Sequence, residues 1–441
     1  MTDTIFSLSS AVGRAGLAVI RLSGPSAGAT LERLSGGPLP RPRHATRAIL
    51  RDPFDADILD DGLVLWFPAP HSYTGEEVVE LHLHGGVAVV SAVLDVLAVQ
   101  PDLRLAEPGE FTRRAFLSGK IDLTAAEGLI DLIDAETNAQ RRQALRQADG
   151  DLGRLYEGWR SRLVTLLAYF EASIDFADEP IPDSLELDLR KKILVVSGEL
   201  TQHLFDKRRG ERLREGVHIT ILGAPNAGKS SLLNLLARRD AAIVSSHAGT
   251  TRDVVEVRLD LADCPVTVAD TAGLRDSASD VEVEGVRRAL ARAEQADLKL
   301  VVFDGAVTPD APSRDLVDAD TIVLFNKSDL CDSVFLKGSG ALGQYAVSVK
   351  YGSGIEEFLR GLTAAVRDRV GAGDSPMITR SRHREALTNC RDALDRAAAA
   401  SASEFAAEDL RQAVRSLGRI TGAVDVEDLL DVIFRDFCIG K

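Results

Sequence analysis

Gly223–Ser230 reads GAPNAGKS and fits the phosphate-cradling pattern G-x-x-x-x-G-K-[ST]. The glycines let backbone N–H groups wrap a phosphate chain, Lys229 can reach the outer phosphates, and Ser230 can ligate Mg2+. AGTTRD then supplies Thr250 and Thr251, with Thr251 the second expected Mg2+ ligand, and DTAG supplies Asp270 for the Mg2+ shell and the Gly273 N–H for a γ-phosphate. NKSD supplies Asp329, whose carboxylate can accept both N–H donors on the edge of guanine, with Lys327 over the ring and Asn326 bracing the loop. AVSVK (Ala346–Lys350) fits the last base-contacting loop. Adenine would leave Asp329 unpaired, so ATP is expected to be rejected. Together the motifs predict GTP contacts from Asn226, Ala227, Gly228, Lys229, Ser230 and Ser231, and from Ser245, Ser246, His247, Ala248, Gly249, Thr250 and Thr251. Asp270, Thr271, Ala272, Gly273, Asn326, Lys327, Ser328 and Asp329 complete the set.

One position breaks the pattern. In Ras-like GTPases the residue after this Asp-x-x-Gly run is a Gln that orients the attacking water. Here it is Leu274, which has no polar atom. Four carboxylates follow, Asp276, Asp280, Glu282 and Glu284. Read from the residues alone they are helix-start charges as readily as water-positioning groups.

The elements that must carry these motifs alternate. From Val217, VHITILG opens a strand–helix series that runs to about Val370, and GAGDSP closes it. Before it, residues 1 to about 118 show β-rich runs (LAVIRLSG, GLVLWFP, EVVELHLHGG) and one helical run, GVAVVSAVLDVLAVQ. Residues from about 120 to 213 read as long helices interrupted by DEPIPDS, and the last 65 or so are helical again. Helices on both sides of an α/β segment imply an insertion whose ends lie close together. The expected domains are 1–118, a discontinuous helical domain of 119–214 with 375–441, and an inserted α/β domain of 215–374.

The chain has 441 residues, 45% hydrophobic and 27% charged, which suits a multidomain globular protein. No apolar run approaches the ~18 residues of a membrane span. The start lacks the look of a signal peptide, and the four cysteines show no metal-binding spacing, so a reducing cytoplasm is expected. The net charge of −15 argues against sequence-blind nucleic-acid binding. Two basic runs remain, KRRGERLR (Lys207–Arg214) and QRRQALR (Gln140–Arg146). Either they are solvated helix faces, or an RNA would be held there or by a partner protein.

GAPNAGKSSLLN, AGTTRD, DTAGLR, NKSD and the ending FCIGK, with the N-terminal phrases SYTGEEVVELHLHGG and PGEFTRRAFLSGKIDLTAAEGLIDLIDAET, resemble the MnmE (TrmE) family of bacterial tRNA-modification GTPases over the whole chain. The resemblance implies an N-terminal α/β folate-binding and dimerising domain, a central all-α domain and an inserted Ras-like α/β G domain. It also implies a homodimer that works with a FAD-dependent partner, MnmG (GidA), in a heterotetramer or larger complex. That complex adds an aminomethyl-type group to C5 of the wobble uridine of tRNA. Its carbon comes from a tetrahydrofolate derivative, 5,10-methylenetetrahydrofolate or the 5-formyl form.

By position, Arg21, Glu80, Lys120 and Lys441 match the family's folate site. Arg21 and Lys120 suit the glutamate tail, and Glu80 suits pterin N–H donors, although a cross-strand pair explains Glu80 equally. The resemblance also implies a K+ site made by the Asn226 side chain with backbone oxygens of Ser245, His247 and Thr250. A cation there lies where an arginine finger's charge would lie, though a turn-stabilising Asn is the alternative. Glu282 matches the family's water-positioning carboxylate by its spacing from DTAG, with Glu284 as runner-up. Cys438 is either a small core residue or a thiol near the one-carbon donor. His82 and His84 alternate on one strand face without a metal-ligand set. A ribosome-assembly GTPase, acting as a binding switch, would share the nucleotide motifs but neither the N-terminal phrases nor the ending.

Overall fold

The computed structural model describes residues 3–175, 183–239, 256–270, 293–330, 335–371, 376–424, 427–435, 437 and 440. The chain divides into two compact units, one of Met1–Ile130, Gln147–Val164 and Val414–Lys441, the other of Asp131–Arg146 and Thr165–Ala413. The helical residues flanking the α/β segment are therefore shared between both units.

The first unit is built on a six-stranded sheet of β1 (Thr4–Leu8), β2 (Ala18–Ser23), β3 (Thr46–Arg51), β4 (Ile58–Phe67), β5 (Val78–Leu83) and β6 (Leu103–Leu105), in the order β3-β4-β5-β2-β1-β6. Only the β1–β6 pair is parallel. Alternation along β2 and β5 decides which side chains are inside. Ile20, Leu22, Val79, Leu81 and Leu83 join a core with helices Ala27–Ser35 and Val87–Ala98, through Leu31, Leu34, Val93 and Leu97. The odd partners in that alternation, Arg21 and Glu80, fall on the other face.

The long helical pattern after residue 120 is broken twice. Leu123–Ile133 and Asn138–Ala148 are separated at Thr137, where Gln140 Oε1 accepts from the N–H of Glu136 and of Thr137, both at 3.0 Å. The Thr137 hydroxyl in turn accepts from the Gln140 N–H at 3.3 Å, which makes a reciprocal cap of the T-x-x-Q type. Asp151–Asp175 starts after Gly150, whose φ of +85° ends the preceding helix.

The second unit carries β7 (Val217–Leu222), β8 (Glu256–Leu261), β9 (Cys264–Asp270), β10 (Leu298–Asp304), β11 (Thr321–Asn326) and β12 (Gly343–Ala346), in the order β12-β11-β10-β7-β9-β8. All pairs are parallel except β8–β9. Its central strands β7, β10 and β11 are near-continuous apolar runs because both faces are covered. Ile219, Ile221, Leu300, Val302 and Leu324 face Leu232 and Leu236 of helix Lys229–Arg239 and Phe358, Leu362 and Val366 of helix Ile355–Val370. Leu222, Val301, Phe303, Val323 and Phe325 build the opposite layer. In the same unit Asp183–Leu204 packs along Ser381–Ala399, pinned by Ser197 Oγ donating to Asp395 at 2.6 Å. Among the described residues no helix is long and apolar enough to cross a membrane.

Candidate functional site

Strand order reverses at β7, and ligands of such sheets bind beyond the carboxyl ends of the strands at that point. GAPNAGKS follows β7 there. Gly223, at φ +137°, lies so close to the Val302 carbonyl oxygen that a Cβ would collide with it, and Gly228, at φ +103°, is pressed against the Asn326 amide in the same way. Asn226 stands at the loop's exposed tip with φ +62°, a left-handed conformation that Asn tolerates better than most residues. The loop runs into helix Lys229–Arg239, whose first N–H groups and dipole make an anion site. The Lys229 ammonium folds over the loop and donates to the carbonyls of Gly223 and Ala224 at 2.8 and 2.9 Å. Ala227 is buried, whereas Ser230 and Ser231 are exposed beside the loop.

The base-side motif ends β11. Asn326, 5% exposed, donates from Nδ2 to the Ala227 carbonyl at 2.9 Å and accepts at Oδ1 from the Val349 N–H at 3.1 Å. It joins the phosphate loop to the AVSVK loop. Lys327, at φ +63°, places its ammonium 2.5 Å from the Asp304 carboxylate. That hydrogen bond holds the Asp304 carboxyl below the usual carboxylate range. The Ser328 N–H donates to the Val347 carbonyl at 3.1 Å, and Asp329 accepts at Oδ1 from Ser348 Oγ at 2.6 Å. A cleft of about 770 Å3 lies between the two loops, lined by Asn226, Gly228, Asn326, Lys327, Asp329 and Ser348 among others.

Asp270 ends β9 in register with Ile221 of β7, so its backbone stands beside the start of the phosphate loop. Its side chain lies outside the described residues. So do Ser245, Ser246, His247, Ala248, Gly249, Thr250, Thr251, Thr271, Ala272, Gly273, Leu274, Glu282, Glu284, Cys438 and Lys441. Asp304 and Ser348 were not singled out by the sequence. Their signal was positional: Asp304 ends the strand next to β11, and Ser348 sits inside the AVSVK loop.

In the first unit, Arg21 and Glu80 are register partners across β2 and β5. The guanidinium donates twice to Glu80 Oε1, at 3.1 and 2.9 Å, and His82 Nε2 lies 3.2 Å from Oε2. The pair is half-buried, with side chains 21% and 19% exposed, and the guanidinium lies 5.7 Å from the ring centres of both Tyr73 and Phe111. Arg21 thus sits with Glu80 rather than apart from it. Lys120 is exposed, and its stem lies by Gly75, where a Cβ would come within 3.3 Å of Cε. Gly440, next to Lys441, accepts from Ser9 Oγ at 2.9 Å, two residues beyond Ser7, the β1 partner of Arg21. His84 pairs with Asp60 at 2.9 Å, and no metal-binding cluster occurs among the described residues.

A charged network near this face had no sequence signal beyond the Glu110–Arg114 spacing. Arg114, 1% exposed on its side chain, contacts Asp3, Glu76 and Glu110 at 3.1, 3.0 and 2.9 Å. Burial opposes charge on Glu110, but hydrogen bonds from Arg104, the Glu107 N–H and Arg114 hold its carboxyl below the usual range.

A glycine-rich loop at the switch point of a mostly parallel sheet, with an Asn-Lys-x-Asp carboxylate across the cleft, defines a P-loop GTPase. The model of the MnmE helical domain matches residues 123–438, and that of the GTP-binding protein TrmE N-terminus matches residues 4–120. The chain is 57% identical over 443 residues to the tRNA modification GTPase MnmE of Paramagnetospirillum magneticum, covering 100% of both chains. It is 48% identical over 467 residues to the mitochondrial 5-taurinomethyluridine-[tRNA] synthase subunit GTPB3 of Danio rerio, covering 100% of this chain and 93% of that one. Among solved structures it is similar to the G domain of the T. maritima FeoB iron transporter, at 22% identity and a TM-score of 0.27, covering 34% of this chain and 98% of that one. The chain belongs to the MnmE family and is a GTPase that takes part in tRNA modification.

Proposed function

We propose that this chain is the K+-dependent GTP-hydrolysing subunit of a complex that modifies C5 of the tRNA wobble uridine. It acts as a homodimer in the cytoplasm, with a FAD-dependent partner of the MnmG type. The supporting observation is the end-to-end likeness to a tRNA modification GTPase, N-terminal unit included. A G domain alone would leave the ribosome-assembly reading equally open.

In this reading Lys229 holds the outer phosphates, and Ser230, Thr251 and Asp270 serve Mg2+. Asp329 and Asn326 select guanine. Asn226 contributes its side-chain oxygen to K+, together with backbone oxygens of Ser245, His247 and Thr250, and Glu282 positions the water that Leu274 cannot. The exposed left-handed tip at Asn226 fits this assignment, because the side chain projects from the loop that lines the cleft. A tetrahydrofolate derivative would supply the carbon. Its site draws on Arg21, Glu80, Lys120 and Lys441, and the half-buried Arg21–Glu80 pair against two aromatic rings suits a flat ligand with both donors and acceptors.

Nucleoside analysis of tRNA from a strain lacking this chain tests the reading. Loss of the C5 modification at the wobble uridine is expected. Intact modification with defective ribosome assembly would replace it with the binding-switch alternative.

A further inference from the structure

The chain holds two basic runs against a net charge of −15, and the fold treats them differently. Three arginines of the first are paired internally. Arg208 pairs with Glu211 at 2.5 Å, Arg212 with Asp297 at 2.7 Å and Arg214 with Asp131 at 3.0 Å. The second lies on helix Asn138–Ala148, where Arg142 and Arg146 are four residues apart on one face. Both line a groove of about 680 Å3, which Arg367 of helix Ile355–Val370 also lines.

The groove has an apolar component from Leu213, Val370 and Met377. Asp263 is the one carboxylate among the described residues lining it. It lies 3.8 Å from Arg142 with the two side chains 46% and 56% exposed, a loose surface pair that a stronger anion would displace. Arg367 is exposed and makes no ion pair among the described residues. Two exposed guanidinium groups, those of Arg142 and Arg367, thus stand by one weakly held carboxylate on a protein that is otherwise strongly acidic.

Guanidinium forks bind phosphate oxygens in pairs, and apolar surface between them accommodates the faces of sugars and bases. We propose that this groove holds the sugar–phosphate backbone of the tRNA substrate, with Arg142 and Arg367 on its phosphates. The proposal rests on the chain acting on tRNA, which is also what favours RNA over an acidic peptide as the occupant.

The test uses the full-length chain and a labelled tRNA transcript with uridine at the wobble position, with affinity read by fluorescence anisotropy across a salt series. The double variant Arg142→Gln/Arg367→Gln leaves the nucleotide cleft untouched, so GTP binding and the thermal midpoint report on folding. It is expected to bind tRNA at least about fivefold more weakly near 0.1 M salt and to lower the slope of log affinity against log salt by roughly 1.5. The Arg142→Lys/Arg367→Lys variant should recover most of the slope. A double variant indistinguishable from a wild type that binds with steep salt dependence would overturn the groove and leave the tRNA reading intact. A wild type that binds no tRNA overturns it too, and the null-strain nucleoside analysis then decides the tRNA reading separately.

Discussion

The side-chain amide of Asn326 donates to the carbonyl of Ala227 at 2.9 Å, so the end of β11 is fastened to the middle of the phosphate loop. Because the Val349 N–H also reaches Asn326 at 3.1 Å, one buried side chain sets the spacing between the phosphate and base ends of the cleft. Asn326→Ala removes both bonds and leaves a buried carbonyl and an N–H unpaired, a loss of roughly 2–3 kcal/mol. GTP and GDP affinity, measured with a fluorescent analogue, should both fall by about 30-fold or more. A change of less than threefold would mean that the two loops are aligned by something else.

Asp329 is oriented by Ser348 at 2.6 Å, which turns the carboxylate instead of leaving it to rotate in the cleft. Asp329→Asn should move the preference from GTP to xanthosine triphosphate, because the amide donates where the xanthine oxygen now accepts. Competition between the two nucleotides at the purified variant measures it. Continued preference for GTP would misplace the base pocket.

K+ should stimulate hydrolysis far more than Na+, since an oxygen cage at K+ spacing is too wide for the smaller ion. Asn226→Ala should erase the difference while much of the GTP binding survives. Equal rates in the two salts at matched ionic strength would remove K+ from the mechanism and leave Asn226 as a residue chosen for its left-handed turn.

His203, in the last turn of helix Asp183–Leu204, is pushed down by burial to a pKa of about 4. The folded chain therefore keeps it neutral, while the unfolded chain binds a proton below about pH 6.5. Its contribution to stability is fully present above pH 6.5 and is lost as the pH falls toward 4, by up to about 1.4 kcal/mol per pH unit. Denaturation midpoints between pH 7 and 5 should drop more steeply for the wild type than for His203→Gln. Parallel curves would show that this side chain is not the titrating group.

The phosphate loop and the Asn-Lys-x-Asp turn of the candidate cleft were legible because each is local. A phosphate loop is eight consecutive residues with fixed glycine positions, and Asn-Lys-x-Asp must end a strand to work. The strands LAVIRLSG and EVVELHLHGG were legible from alternation, and the same alternation explains why Arg21 and Glu80 emerge as a cross-strand pair. β3 escaped notice because TRAILR is an edge strand with only Leu50 buried, so it carries almost no pattern. Contacts between distant elements escaped too. Nothing in the sequence near Arg114 announces Asp3 and Glu76, and nothing near Lys327 announces Asp304. The break at Thr137 was readable in principle from its T-x-x-Q signature, which the apolar periodicity on either side obscured.

The position of Lys229 has a consequence for how fast the cleft can fill. With its ammonium already resting on the Gly223 and Ala224 carbonyls, the lysine occupies the loop as a tethered placeholder cation. An arriving nucleotide meets an ammonium already held over the loop, and the side chain need only swing from carbonyl to phosphate oxygens. Little conformational search is left for the encounter itself.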